Sequence, residues 1–233
     1  MKAKSDRLVV EKKDPPKDLA GVKLRRKTVR LPKEERKQQI LTKAYEFFSE
    51  YGLTAQTRAL AESCGVSQRL LYSIFPNKAA LLAAVYEAEI SGPIKAVWFE
   101  MLKDRKIPVE ARLIGFYKDY YAVILTRRWL RFFLYTSLAE ESIAPKYIQL
   151  IVAQLVELIV KEVAHEKGLS LAGSNTALVQ EVGWSLHGAV SHLAIRRLIY
   201  GDTRPVEVGA VIEVQVKIFV NGLGAVFEKK KIK

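Results

Sequence analysis

The chain has a single cysteine, Cys64, among 233 residues. No intrachain disulfide can form, which excludes a disulfide-stapled scaffold and fits a reducing compartment. Long hydrophobic runs are also missing. The least polar stretch, Val182 to Ile195, falls short of the ~20 residues a bilayer span needs, and it carries His187 and His192. No apolar core of a secretory signal stands at the N-terminus. These absences read as a soluble, cytoplasmic chain with no membrane partner. Histidine is scarce: His165, His187 and His192 are all there is. The last two are five apart rather than four, so they do not align as ligands on one helix face. A phosphate-binding loop, a dinucleotide fingerprint and a nucleophile elbow are all lacking. The expectation is therefore no metal, no cofactor and no catalytic residue.

Positive charge, by contrast, is abundant, with a formal net charge of +13. A basic balance favours anionic partners such as nucleic acid or acidic membrane surfaces. Its distribution weakens that inference. Residues 1–30 hold 11 Lys and Arg against 4 Asp and Glu, whereas residues 81–227 hold 16 against 15. The excess sits mainly in the tails. Residues 1–30 contain Pro15-Pro16, show no apolar period and read as a basic, disordered tail. It is open whether this tail reaches DNA or is simply solvated. Residues 229–233 form a second, solubilising basic tail.

From Pro32 the pattern becomes helical, and the reading for the whole chain is all-α. Ile40, Leu41, Ala44, Phe47 and Phe48 make an apolar stripe at spacings of three and four. Gly52 ends that helix near Tyr51. Further helices are expected over 81–89, 94–103, 109–126, 128–139, 145–166, 176–200 and 206–227. The run "VIEVQVKIFV" at 211–220 is rich in β-branched residues, which favour strands. Its length and the lack of a turn signal before Asn221-Gly222 favour helix.

The segment "CGVSQRLLYSIFPNK", residues 64–78, carries the most specific pattern. A short helix starts near Thr54 to Thr57, with either threonine as its cap. Leu60, Ala61 and Cys64 share a face. Gly65 breaks the helix in a left-handed conformation, and Ser67 caps the next one. Val66, Leu70 or Leu71, and Ile74 or Phe75 give that helix its apolar side. Ala61, four residues before Gly65, lets two steeply crossed helices approach. This is the spacing of a helix-turn-helix. Its second helix projects Gln68 and Arg69 from the half that enters a major groove, where Gln pairs with adenine and Arg with guanine.

Together, "QQILTKAYEFFSEYGL", "RALAESCGVSQRLLYSIFPNKAALLAAV" and the helical remainder resemble the TetR-type transcriptional regulators. The matching residues are Ile40, Leu41, Ala44, Phe48, Gly52, Leu60, Ala61, Gly65, Val66, Ser67, Leu71, Tyr72, Phe75, Lys78 and Leu81. Two departures stand out: one residue fewer between Gly52 and Leu60, and Ile74 where Tyr or His is common. The resemblance implies a three-helix DNA-binding domain over 31–85 and a helical effector-binding and dimerisation domain over 86–228. It also implies roles. Thr57 and Arg58 would meet phosphate at the second helix, Ser67 would cap, Gln68 and Arg69 would read bases, and Tyr72 and Lys78 would contact phosphate. The implied partners are double-stranded DNA with an inverted-repeat operator, a second copy of the chain and a small effector.

In the larger domain, Trp98, Phe99, Phe116, Tyr117, Tyr120, Tyr121, Trp129, Phe133 and Trp184 are candidates for an effector pocket. Aromatics at helical spacing also make ordinary core. Arg127, Arg128 and Arg131 either pair an anionic effector or form a solvated face. Gly183, His187, Gly188, Gly209 and Gly222 lie on the last two helices, where small residues permit close approach. They are candidates for a dimer seam or for packing within the chain. The expected function is that of a repressor released by an apolar or aromatic effector. A helical interaction module without DNA binding leaves the 54–78 spacing unexplained, and an enzyme has no motif to support it.

Overall fold

A computed structural model describes residues 32–91, 96–139 and 143–229. Both basic tails, apart from Lys229, lie outside the described residues, as does the expected start of a helix at Ile94. Among the described residues every regular element is helical; one isolated bridge joins Leu169 to Lys229. The β-branched run at 211–220 is helix, as its length indicated.

Helix α1, Lys33–Tyr51, buries the Ile40, Leu41, Ala44, Phe47 and Phe48 stripe and sets Glu34 and Glu35 in its first turn, where the helix dipole favours them. Gly52, at φ +76°, ends it and donates to the Phe48 carbonyl at 2.9 Å. Three short helices follow: α2 (Thr57–Ser63), α3 (Gln68–Ile74) and α4 (Lys78–Val85). Their Leu60, Ala61, Cys64, Leu71, Phe75, Leu81, Leu82 and Val85 close against α1 in one core. The boundary expected at residue 85 falls where α4 runs directly into a π-helical turn, Tyr86–Ser91.

The larger part contains α5 (Ala96–Lys103), α6 (Val109–Val123), α7 (Arg127–Leu138) and α8 (Ile143–Tyr147), which continues through a π turn (Ile148–Val152) into α9 (Ala153–Glu166). Then come α10 (Thr176–Leu198) and α11 (Val208–Gly222). Helix α9 packs on α10, α11 on α6, and α5 against both α6 and α9. Gly183 explains how closely α9 and α10 meet. A Cβ there would stand 2.6 Å from the Val156 carbonyl oxygen, inside contact distance. Arg112, almost wholly buried, pins α5, α6 and α9. It donates to the Leu102 carbonyl and to Glu162 at 3.0 Å, and Glu162 also takes Arg105 at 2.9 Å.

One reading needs correction. Val208–Ala225 does reach the length and mean hydropathy, 1.4, of a membrane span. Its composition reflects two apolar sides. Ile212, Val216, Phe219 and Val220 face the core, while Val214 and Ile218 face outward. Glu213 on the same helix pairs with Lys118 of α6 at 2.6 Å, as expected of a helix seated on a protein core.

Candidate nucleic-acid interface

Helices α2 and α3 meet through the turn at Gly65, which has φ +67°. Nothing lies within 4 Å of the place a Cβ would occupy, so glycine is favoured by conformation rather than by space. Val66 N–H returns to the Ala61 carbonyl at 3.0 Å and seals the turn. Ser67 caps α3 by accepting from Leu70 N–H at 3.1 Å. The expectation for α2 was a threonine cap. The cap position belongs to Gln56 instead and makes no side-chain bond; Thr57 is the first helical residue.

Leu71 and Phe75 hold the inner side of α3, and Ile74 is half-buried beside them. The outer side carries Gln68, Arg69, Leu70, Tyr72 and Ser73, all exposed. Gln68 and Arg69 thus sit on the first turn, with no protein partner among the described side-chain bonds of that face. Ser73 is less available, because its hydroxyl donates back to the Leu70 carbonyl at 2.8 Å. Leu70 is a large apolar side chain in the open.

Thr57, Tyr72 and Lys78 come from three different helices and line one narrow cleft beside Asn77. Asn77 caps α4 by accepting from Ala80 N–H at 2.8 Å. The Lys78 ammonium donates to the Leu53 carbonyl and lies 5.8 Å from the Phe48 ring centre. It therefore ties α4 to the α1–α2 turn. Arg58 is highly exposed and pairs one turn on with Glu62 at 3.2 Å. Such an exposed pair is weak and readily exchanged for an anion. Cys64 is buried, and burial raises its thiol pKa, which leaves it unreactive.

Of the nine aromatic candidates of the larger domain, Trp98, Phe116, Tyr117 and Tyr120 gather, and Trp129 and Phe133 form a second group. Trp98 meets Phe116 and Tyr120 at 5.8 and 5.7 Å between ring centres, and Trp129 stacks on Phe133 at 4.7 Å. Phe99, Tyr121 and Trp184 are half-buried at the edge of this core. Sequence reasoning missed Tyr147, whose hydroxyl joins that of Tyr120 at 2.8 Å and links the two groups. Among the described residues no three His, Cys, Asp or Glu side chains come together as a metal site.

Of the five seam candidates, three are used inside the chain. Gly183 packs on Val156, and His187 is buried among Tyr117, Tyr120 and Trp184. Gly209 sits against Glu207 and Lys118. Gly188 and Gly222 have nothing within 4 Å of a Cβ position. Arg127 and Arg128 are exposed, as on a solvated face, although all three arginines of α7 also bond within the chain. Arg127 donates to the Leu198 carbonyl at 2.5 Å, Arg128 pairs with Glu46 at 3.5 Å, and Arg131 reaches the end of α1.

Residues 40–85 match the family described as bacterial regulatory proteins, tetR family. No functionally curated protein matches the chain. Among solved structures, a TetR-like transcriptional regulator from Rhodococcus sp. RHA1 aligns with TM-score 0.63 at 21% identity, over 84% of this chain and 99% of that one. A TetR-family regulator from Bordetella parapertussis 12822 gives 0.60 at 17%, covering 80% and 94%. The fatty acid degradation regulator FadR from Bacillus halodurans gives 0.58 at 17%, covering 79% and 98%. At these identities the likeness is one of fold. The chain thus carries a tetR-family domain at residues 40–85 and folds, over most of its length, as TetR-family transcriptional regulators do.

Proposed function

We propose that this chain is a sequence-specific DNA-binding repressor that works as a homodimer and is released by a small apolar or aromatic effector. The observation that carries the reading is the exposed set Gln68, Arg69 and Leu70 on the first turn of a helix whose cap and inner face are fully engaged. A side chain with no structural task, at the end of a rigid helix, is placed to read base edges. Gln68 takes adenine and Arg69 guanine in the major groove. Thr57, Arg58 and Lys78 on the neighbouring helices and Tyr72 on the same helix supply phosphate contacts, which fix register without reading sequence. The basic segment 1–30, outside the described residues, adds non-specific attraction.

Dimerisation is supported by the outward side of α11. Val214 and Ile218 are 55% and 68% exposed, which is unusual for apolar residues one turn apart on a core helix. Gly188 on α10 and Gly222 on α11 leave open backbone that a second copy can approach. Two copies related by a two-fold axis place their recognition helices at successive major-groove faces, roughly 34–36 Å or a multiple apart, so the operator is an inverted repeat. The effector acts by binding one separation of the two DNA-binding domains better than another.

A gel shift with the DNA upstream of the chain's own gene tests the reading. Retardation competed by unlabelled cognate DNA but not by random DNA is expected. Equal competition by both overturns sequence-specific binding.

A further inference from the structure

Helices α6 and α10 bring Tyr117 and His187 together inside the larger domain, with ring centres 6.1 Å apart. Tyr117 is wholly buried and His187 is 4% exposed. Among the described residues, the Tyr117 hydroxyl and His187 Nδ1 have no hydrogen-bond partner. A buried polar group without a partner loses its hydration and gains nothing in return. Phe and Leu would fill the same places without that loss. The same core shows that a phenol can be satisfied there, since Tyr120 and Tyr147 share a hydrogen bond at 2.8 Å. The pair one helical turn away lacks such a partner among the described residues.

What it can hold follows from its surroundings. The rings that contact the pair are Phe116, Tyr120 and Trp184. No carboxylate or cation is among these contacts. Burial alone lowers the His187 pKa to about 4, and burial raises that of Tyr117, so both side chains are uncharged at neutral pH. A charged ligand would find no counter-charge here, whereas a hydroxyl or carbonyl group would find a neutral donor and a neutral acceptor. Of the three rings around His187, only Trp184 is half-buried rather than buried, which makes it the side nearest solvent.

We propose that Tyr117 and His187 are the polar anchors of the effector site, selecting an uncharged, mainly apolar molecule that carries a hydroxyl or carbonyl group. The proposal rests on the regulatory reading above and narrows it to a ligand class and two residues.

Calorimetry on the full chain at neutral pH tests it with two matched sets of probes. One is toluene, p-cresol and p-toluate; the other is naphthalene, 2-naphthol and 2-naphthoate. In at least one set the hydroxyl compound is expected to bind about tenfold more tightly than the hydrocarbon, with no binding of the carboxylate. Tyr117→Phe removes only an unpaired hydroxyl. It is expected to fold, to melt no lower than the parent chain, and to reduce the hydroxyl preference below about threefold. His187→Leu is expected to do the same. Failure of both hydroxyl compounds to bind better than their hydrocarbons overturns the proposal, as does a preference unchanged in Tyr117→Phe. A gel shift run in parallel separates the two readings. A chain that retains DNA but not the phenols loses this proposal alone, and one that binds the phenols but no DNA loses the repressor reading.

Discussion

The Arg131 guanidinium, on α7, donates to the Glu50 carbonyl at the end of α1 at 2.6 Å, and it also reaches the Ser49 carbonyl. One side chain of the larger domain thus caps the first helix of the smaller one, where carbonyls lack helical partners. Around it, Phe132 meets Tyr45 edge-on at 5.5 Å, and the Tyr135 ring lies against Gly52. The same helix carries Trp129 and Phe133 on its aromatic side. Helix α7 therefore touches both the aromatic core and the DNA-binding domain.

Arg131→Ala should lower stability by about 1.5–3 kcal/mol, the worth of hydrogen bonds from a charged donor. Arg131→Lys should recover only part, because an ammonium lacks the planar fork that spans two carbonyls. Chemical denaturation read by Trp fluorescence measures both. A loss under about 0.5 kcal/mol for the alanine variant would place the contact among ordinary surface bonds.

Two glycines on one helix should respond oppositely. Gly183→Ala forces a methyl group into the Val156 backbone and should destabilise by about 1–3 kcal/mol. Gly188→Ala meets open space and should stabilise the subunit by up to about 1 kcal/mol through helix propensity. Gly188→Leu should instead weaken the dimer if that surface is the seam, which sedimentation at micromolar concentration reads directly. A dimer unchanged by Gly188→Leu and by Ile218→Glu moves the seam elsewhere.

Acid should destabilise the fold through His187. Its folded-state pKa is depressed from 6.5 to about 4 by burial, so the unfolded chain binds more protons between those values. The stability conferred by keeping it neutral is complete above about pH 6.5 and is lost as pH falls towards 4, by roughly 3 kcal/mol in all. His187→Leu should flatten that part of the profile. Glu162, whose pKa is lowered first by its bond to Arg105, adds a further acid loss below its unfolded pKa of about 4.5. A wild-type profile flat between pH 6.5 and 5 would contradict the burial of His187.

Much of this was legible in the sequence, for local reasons. Gly52 and Gly65 take left-handed conformations that glycine favours, and Ser67 caps the helix it precedes. Such signals act over three or four residues and survive any tertiary setting. The α2 start was misread because two threonines bracket Gln56 and neither caps. Longer-range pairings left no local trace. Arg131 and Glu50 are 81 residues apart, and Tyr120 and Tyr147 are 27 apart. For His187 the sequence leaves a dimer seam and packing within the chain both open, because it cannot say which side of α10 the aromatic core occupies; the residue is buried. The arginine cluster at 127–131 pointed to charge, while its partners turned out to be largely main-chain carbonyls.

Base reading by α3 separates from phosphate contact by mutation. Gln68→Ala and Arg69→Ala should each cost about 1–3 kcal/mol on the cognate site and much less on random DNA. Tyr72→Phe should weaken both kinds of site alike. Equal losses on both for Arg69→Ala would make it a phosphate contact.

The central claim is that paired copies of this chain read DNA through Gln68 and Arg69. Selection of binding sites from a random or genomic DNA pool with the purified full chain tests it most directly. An enriched inverted repeat is expected, bound with affinity that falls by about 10³–10⁵ between 50 and 200 mM salt if 6–10 phosphates are neutralised. Arg69→Ala is expected to lose preference at one symmetric pair of positions. A pool with no enriched motif, or a motif left unchanged by Arg69→Ala and Gln68→Ala together, would contradict it.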